Sequence, residues 1–273
     1  MKLVPGLVSF VLLTVFTRAQ TPTTPAASTP IPTPAVTPAA AATPAPGATP
    51  AGNAKDGAAK NGGGATVTKH ASLKYTAPKN ATAGTRIDGD GGSRGGGDKQ
   101  PSLYVLAPNH TALTTRAQPS LFWYQSKPAG TRFELTVIEP KKAKPLLKIG
   151  ADKADQAGIH RVLLGKYNVT LTPGVTYRWT VALVPDQANR SQDVIAWGTI
   201  QRTAPDADFA TALAGAQGLD KAALYAGKGF WYDALEFVTN EIDSAPKDKA
   251  LRLQRATLLD QAGLKDAAAS ERK

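Results

Sequence analysis

The sequence predicts a mainly β protein with a helical annex: a β-sandwich of the fibronectin or immunoglobulin type, then a short helical repeat unit, with a disordered tether in front. Three observations support this prediction. Residues 169–184 alternate apolar and polar side chains on both sides of a Pro-Gly corner, which is typical of half-buried strands. After Pro205 the apolar residues recur at spacings of three and four residues, which is typical of helices. Residues 1–100 are instead rich in Pro, Ala, Thr and Gly.

The chain begins with the three regions of a secretory signal peptide, predicted over residues 1–19. Lys2 precedes an apolar run over residues 7–16, and small residues precede an expected cleavage after Ala19. A retained membrane anchor is the alternative, but about ten apolar residues are too few to span a bilayer, which needs about twenty. We therefore expect an exported protein, periplasmic or extracellular, with no stable membrane insertion after cleavage.

Residues 20–100 are predicted to form a disordered tether. Pro recurs every few residues among Ala and Thr over residues 21–51, and glycine runs follow. This composition cannot form a core and favours an extended polyproline conformation. The stretch either acts as a spacer of at most about 100 Å through the periplasm or wall, or has no task. We expect the folded part to begin near Pro101.

Charge and cysteine content argue against several classes of function. The chain has 32 Lys and Arg against 21 Asp and Glu, a formal net charge of +11. The basic residues are scattered and are not interleaved with aromatic residues, so we expect no nucleic-acid binding. With no Cys and three isolated His, the sequence predicts no disulfide, no metal site and no cofactor. It also has no nucleophile elbow or metal-ligand spacing, so we expect no catalytic residues and no enzymatic activity.

Period-two alternation predicts the strands of the sandwich, which is expected to span residues 101–203. The clearest strand is 132–138, in which Phe133, Leu135 and Val137 share one face. The others are expected at 103–106, 119–124, 145–149, 159–164, 169–171, 175–184 and 194–202.

Two aromatic features of the predicted sandwich are informative. Tyr177 follows the Pro-Gly corner at the start of a strand, where sandwich domains place a Tyr whose ring enters the core and whose hydroxyl bonds to upstream backbone. The strand at 119–124 carries Trp123 and Tyr124 on opposite faces. Its rings either pack in the core or form a platform on which sugars stack.

The annex, residues 204–273, is predicted to contain three helices, at 208–226, 231–244 and 247–262. Four residues recur at a spacing of 34: Ala222 with Ala256, Leu224 with Leu258, Gly229 with Gly263 and Ala234 with Ala268. With Pro246 after the second helix, this is the tetratricopeptide spacing. About one and a half repeats cannot bury their apolar faces alone, so we expect the annex to pack against the sandwich.

The order of several motifs resembles a bacterial family known as domain of unknown function 928. The motifs are G-S-R-G from Gly92, P-S-L-F-W-Y from Pro119, G-V-T-Y-R-W from Gly174, N-R-S-Q-D-V from Asn189, G-T-I-Q-R from Gly198 and G-F-W-Y-D-A-L from Gly229. The resemblance spans about residues 86–264. It implies an exported bacterial protein without an established activity and brings no catalytic residues, and the long tether departs from the family pattern.

One polar cluster in the sandwich is dense enough to suggest a partner-binding site. It contains Asn189, Arg190 and Asp193. An Arg flanked by Asn and Asp can bind a carboxylate or a backbone partner through charge-assisted hydrogen bonds. In the alternative interpretation, Asn189 or Asp193 bonds turn amides and Arg190 pairs with Asp193.

Phe230, Trp231 and Tyr232 form a second candidate site. Successive side chains on a helix lie about 100° apart, so the three rings cannot all enter one seam. Trp231 shares a stripe with Ala234 and Leu235 and is assigned to the seam between helices. Phe230 and Tyr232 are then left either for a joint with the sandwich, which we predict, or for an exposed partner-binding patch.

The leading hypothesis for function is a non-enzymatic, exported protein-interaction module of the cell envelope. Its partner would be another envelope or secreted protein, which the sequence does not identify. The alternative is a carbohydrate or wall-polymer binding domain that uses outward rings of Trp123 or Tyr124 together with scattered Lys residues.

Overall fold

Two β-sheets followed by five helices make up the described part of the chain, which in this computed structural model comprises residues 72–89, 100–151 and 153–273. The predicted signal peptide and the Pro-rich part of the tether lie outside these residues. The first sheet is antiparallel and has the order β1-β3-β6, with β1 at Leu103–Val105, β3 at Ser120–Gln125 and β6 at Gly158–Leu163. Every residue of the central strand β3 is buried, so both of its faces are covered.

The second sheet has five strands in the order β2-β8-β7-β4-β5. Its strands are β2 at Ala112–Thr114, β4 at Arg132–Ile138, β5 at Leu147–Ala151, β7 at Thr176–Val184 and β8 at Val194–Arg202. All neighbours are antiparallel except β2, which runs parallel to β8. Strands β4 and β8 have the predicted bounds, and the short strand β2 was not predicted.

The two sheets share an apolar interior. The ring of Trp123 on β3 stacks on the ring of Phe133 on β4, with centroids 5.0 Å apart. A Cβ atom on Gly198 of β8 would lie 3.2 Å from the side chains of Val105 and Ala107, so a residue without a side chain allows β8 to approach the end of β1. Trp179 on β7 is fully buried in the same core.

Tyr177 forms the predicted corner. Its ring is buried, and its hydroxyl accepts a hydrogen bond from the N–H of Thr172 at 3.1 Å. Residues 169–171, predicted as a strand, are not one. They follow a 3-10 turn at Leu164–Tyr167 that ends in the left-handed residue Asn168, with φ 56°.

The helices are α1 at Ala207–Gly215, α2 at Gly218–Gly227, α3 at Trp231–Ser244, α4 at Lys249–Gln261 and α5 at Lys265–Glu271. Helix α3 has the predicted bounds. The single helix predicted over 208–226 is wrong, because the backbone is extended at Ala216 and Gln217, and Gly218 after them has a φ of 49°, which is costly for residues other than glycine. The short helix α5 was not predicted.

The 34-residue sequence period is also a period of the structure. The turn between α2 and α3 and the turn between α4 and α5 each contain a left-handed glycine, Gly229 with φ 84° and Gly263 with φ 72°. The N–H of Phe230 donates to the carbonyl of Tyr225 at 2.9 Å, and 34 residues on the N–H of Leu264 donates to the carbonyl of Leu259 at 3.0 Å. The two helix pairs therefore turn in the same way.

The lead-in segment, residues 72–89, was predicted to be part of the tether but packs into the folded body. Leu73 is fully buried, and the N–H of Thr76 donates to the carbonyl of Ala226 at 3.0 Å. Ile87 bridges Trp197 of the five-stranded sheet, and Gly89 bridges Leu103 of the three-stranded sheet. The predicted start near Pro101 is therefore too late.

Candidate functional site

The cluster at Asn189, Arg190 and Asp193 is a turn in which most polar groups bond to one another, although Asp193 Oδ1 is buried without a hydrogen-bond partner among the described residues. Asn189 Oδ1 accepts hydrogen bonds from the N–H and the hydroxyl of Ser191, at 3.3 and 2.6 Å. Arg190 Nε donates to Asp193 Oδ2 at 2.7 Å, and Arg190 Nη2 donates to Glu134 Oε2 on β4 at 3.1 Å. This is the geometry of the alternative interpretation, in which Asn189 bonds a turn amide and Arg190 pairs with Asp193. The bond from Arg190 to Glu134 ties the β7–β8 connection to the five-stranded sheet.

Electrostatics agree with this description of the turn. Partial burial raises the pKa of Glu134, but the hydrogen bond and charge of Arg190, helped by Lys148 and Arg132, outweigh burial and leave the pKa below its ordinary value. The carboxylate of Glu134 is therefore stabilised in its charged form by the cations around it. Arg190 is already engaged by two carboxylates, so binding an external carboxylate would require it to exchange partners.

Phe230 and Tyr232 are buried, which conflicts with a partner-binding surface at these two residues. Tyr232 is fully buried; its hydroxyl donates to the carbonyl of Thr199 at 3.0 Å and accepts from Trp179 Nε1 at 2.8 Å. Burial raises the pKa of the Tyr232 hydroxyl. Phe230 stacks on Phe209 of α1 with centroids 5.4 Å apart.

Trp231 does not lie only in the seam between helices, as assigned. Its Nε1 donates to the carbonyl of Leu106, just after β1, at 2.7 Å. The first turn of α3 thus joins the helices to both sheets, through Trp231 at the three-stranded sheet and Tyr232 at the five-stranded sheet.

An acidic network continues this joint along α3 and was not predicted. Asp233 is fully buried, and it accepts hydrogen bonds from the N–H and the hydroxyl of Thr115 at 3.0 and 2.6 Å. One turn later Glu236 accepts from the N–H of Ser120 at 3.2 Å and pairs with Arg161 of β6 at 3.2 Å. The available signal for this network was that Asp233 and Glu236 stand among the apolar residues of the first half of α3.

The joint network has the character of a structural connection. Burial raises the pKa of Asp233, against hydrogen bonds from Thr115 and Thr114 and the charge of Arg116 that lower it. A strongly perturbed acid is a candidate for proton transfer when it lies in a cleft. Asp233 has no exposed surface, and the backbone and side chain that it contacts belong to the connection between β2 and β3. We therefore assign it to holding the helices on the sheets.

The rings that would form the alternative sugar-stacking platform are covered. Trp123 is 8% exposed, because its ring lies against Phe133 and His160, each with centroids 5.0 Å away. Tyr124 is also 8% exposed and stacks on Tyr104. The hydroxyl of Tyr104 donates to Asp266 of α5 at 2.8 Å, so a helix covers this part of the sheet.

A groove of about 420 Å³ opens between the start of α4 and the end of α5. Its lining combines basic and apolar side chains. The lining residues are Pro246, Lys247, Lys249, Arg252, Leu253, Glu271, Arg272 and Lys273.

The groove carries positive charge that the described residues do not neutralise. Its one acid, Glu271, is engaged by Arg255 at 2.7 Å and so is not free to pair with the lysines. Lys247, Lys249, Arg252 and Lys273 form no ion pair with any described residue, and Leu253 lies among them with half of its surface exposed. Such a surface can bind an acidic chain that also offers an apolar side chain.

The ranges that the structure describes contain no group of three or more His, Cys, Asp or Glu residues that could hold a metal ion. None of the helices in the described ranges is both long and apolar enough to cross a membrane.

Comparison with known proteins identifies the family. The family model described as Domain of Unknown Function (DUF928) matches residues 89–272, which include both sheets and all five helices described above. The chain belongs to the DUF928 family. The match confirms the resemblance seen in the motifs, and residues 20–88 of the predicted tether lie outside it.

The other comparisons add no activity to this DUF928 chain. No curated protein matches it. Among solved structures, a multi-domain immunophilin from Arabidopsis thaliana is similar at 7% identity over 64% of this chain and 93% of that one. The TM-score of 0.15 is too low for the likeness to support an argument about fold or function.

Proposed function

We propose that the protein is a non-enzymatic interaction module of the bacterial cell envelope that binds an acidic segment of another protein in the α4–α5 groove. The observation that carries the proposal is the set of four basic side chains around half-exposed Leu253, none of them paired with an acid in the described ranges. Cations around an apolar side chain favour a protein segment over a simple ion. The charges attract it, and burial of Leu253 adds affinity.

The architecture fits this role as part of the same proposal. We infer that the sheets form a sandwich of the immunoglobulin or fibronectin type, which the Tyr177 corner and the shared interior of the two sheets support. We infer that α2–α5 form a tetratricopeptide-like unit, which the repeated turns at Gly229 and Gly263 support. Such helical units bind partners on surfaces between stacked helices.

A charge-reversal experiment tests the groove. The variant Lys247→Glu, Lys249→Glu, Arg252→Glu reverses three cations, and acids in the first turn of α4 favour the helix dipole, so folding should be kept. The matched control is Lys141→Glu, Lys142→Glu, Lys144→Glu in the exposed β4–β5 connection, which changes net charge equally. We expect proteins cross-linked to the wild type in the native envelope to be captured by the control and lost by the groove variant.

Salt dependence is a second measurement. Capture by the wild type should weaken as ionic strength rises above about 0.1 M, where exposed charges are screened beyond about 10 Å. Equal capture by the groove variant and the control would show that the partner binds elsewhere.

Export is tested separately: N-terminal sequencing of the mature protein should begin at Gln20, and a start at Met1 or Lys2 would contradict cleavage after Ala19.

The wall-polymer alternative has no observation in its favour. The two rings on which it depended, Trp123 and Tyr124, are buried. Retention of the protein on a polysaccharide column, unchanged in the groove variant, would nevertheless favour it over our proposal.

A further inference from the structure

Residues 73–76 lie in extended form across α2 and α4, and side-chain amides satisfy much of their backbone. Gln254 Oε1 accepts a hydrogen bond from the N–H of Leu73 at 3.0 Å. Gln261 Nε2 donates to the carbonyl of Leu73 at 2.7 Å, and Gln261 Oε1 accepts from the N–H of Tyr75 at 2.7 Å. Two glutamines therefore satisfy three backbone groups, as a neighbouring strand would in a sheet.

These contacts are prepared by the helices. Gln254 and Gln261 are seven residues apart and so lie on the same face of α4. The second amide hydrogen of Gln261 is donated to the carbonyl of Thr257 at 3.0 Å, which fixes the orientation of the amide. The N–H of Thr76 donates to the carbonyl of Ala226 at the end of α2, which also accepts a hydrogen bond from the N–H of Gly229 at 3.1 Å. The three hydrogen bonds with Gln254 and Gln261 and the one with Ala226 involve only backbone groups of residues 73–76.

Two sockets, one that holds the side chain of Leu73 and one that holds the side chain of Tyr75, add selectivity for side chains. Alternate residues point inward: Leu73 is fully buried and Tyr75 half-buried, whereas Lys74 and Thr76 are exposed. The ring of Tyr75 meets the ring of Trp231 edge-on with centroids 5.0 Å apart, and its hydroxyl lies 2.8 Å from His110 Nε2. The groove thus accepts an extended chain with an aliphatic residue and a tyrosine two positions apart.

We propose that this surface, the glutamine groove, is a binding site for extended peptides with Leu-x-Tyr spacing, and that residues 73–76 occupy it as an intramolecular ligand that such a peptide displaces. The site is separate from the basic groove and does not depend on the function proposed for it. Exchange is feasible because an incoming peptide reproduces each contact of the segment it replaces. A tethered segment has an effective concentration in the millimolar range, so the intact chain resists displacement by dilute peptide.

The first experiment empties the groove in the full chain. The variant Leu73→Asp, Tyr75→Ala removes both inward side chains, and a fluorescent peptide with the sequence of residues 72–78, SLKYTAP, is titrated against it. We expect saturable binding at least about tenfold tighter than to the wild type, because the wild-type site is available only when its own segment is released. Further substitution of Gln254→Ala and Gln261→Ala should abolish binding, and the control peptide SDKATAP should not bind.

Two results of the peptide titration would contradict binding in the glutamine groove. An emptied variant that unfolds cooperatively like the wild type but binds SLKYTAP no better than SDKATAP would overturn the proposal. Binding that is unchanged without the two glutamines would also overturn it.

A second measurement applies if the emptied variant fails to fold. Because the chain has no cysteine, Lys74→Cys provides a single labelling position on an exposed side chain next to both sockets. The fluorescence anisotropy of a dye at this position should fall as several millimolar SLKYTAP releases the segment, and should not change with SDKATAP. Constant anisotropy up to about 10 mM SLKYTAP would refute displacement.

Discussion

Tyr232→Phe is the sharpest test of the joint between helices and sheets. The substitution removes one hydroxyl group and keeps the ring. In the wild type that hydroxyl accepts from Trp179 Nε1 at 2.8 Å and donates to the carbonyl of Thr199 at 3.0 Å, and both rings are fully buried. Phe at this position leaves the indole N–H of Trp179 without an acceptor in a dry interior.

The magnitude follows from those two bonds. A lost hydrogen bond costs about 0.5–1.5 kcal/mol, and a buried donor left unpaired costs about 1–3 kcal/mol. We therefore expect the free energy of unfolding to fall by roughly 2–4 kcal/mol. In a folded body of this size each kcal/mol moves Tm by about 2–4 °C, which gives a decrease of roughly 4–16 °C.

The assay follows thermal unfolding by far-UV circular dichroism, which is dominated by the helices, and by tryptophan fluorescence. If Tyr232 joins the two parts, both signals should shift together. A Tm within about 1 °C of the wild type would refute the assignment, and so would a shift confined to the helical signal.

Four further predictions concern other parts of the fold. Tyr177→Phe removes one hydrogen bond to Thr172 and should lower the free energy of unfolding in urea by about 1 kcal/mol. An unchanged free energy of unfolding would show that this hydrogen bond does not stabilise the corner. Gly89→Ala places a Cβ 2.8 Å from a methyl of Val194 and should cost about 1–3 kcal/mol in the same assay, whereas an unchanged midpoint would mean that the lead-in segment does not hold this position. Arg255→Met leaves Glu271 buried without its partner and should cost about 3–5 kcal/mol, with much of the loss recovered by adding Glu271→Leu; additive losses would contradict this. The folded-state pKa of Glu134 lies below its ordinary value of 4.5, so its carboxylate stabilises the fold above that pH and loses this effect as pH falls through the folded-state pKa. Glu134→Gln should therefore lower the free energy of unfolding at neutral pH, and the difference from the wild type should shrink in acid. A difference that does not depend on pH would refute this prediction.

The sequence predicted the long elements because their periodicity is sustained. Strands 132–138 and 194–202 and helix 231–244 each carry a repeated apolar pattern along their full length. Strand β2 has only three residues, too few to show a period, and its pairing with β8 is decided by tertiary contact. Residues 169–171 alternate like a strand, but the left-handed Asn168 before them directs the chain into a corner.

The lead-in segment was missed for a different reason. Composition argued for disorder, since few apolar residues stand among its Gly, Ala, Thr and Lys neighbours. Its order comes instead from partners far along the chain: Gln254 and Gln261 are more than 180 residues away from the backbone groups that they bind. A local sequence pattern cannot reveal such contacts. The same holds for the basic groove, whose cations come from two helices that meet only in the fold.

The destinations of the three consecutive rings can be understood from the polar atom that each ring carries. Helix geometry required that the rings of Phe230, Trp231 and Tyr232 diverge. The two that can donate a hydrogen bond reach buried carbonyls of the sheets, Trp231 at Leu106 and Tyr232 at Thr199. Phe230, which has no donor, remains among apolar rings of the helices. Since buried donors require partners, the indole N–H and the phenol hydroxyl fix how α3 docks, whereas the apolar area of the rings alone would allow other orientations.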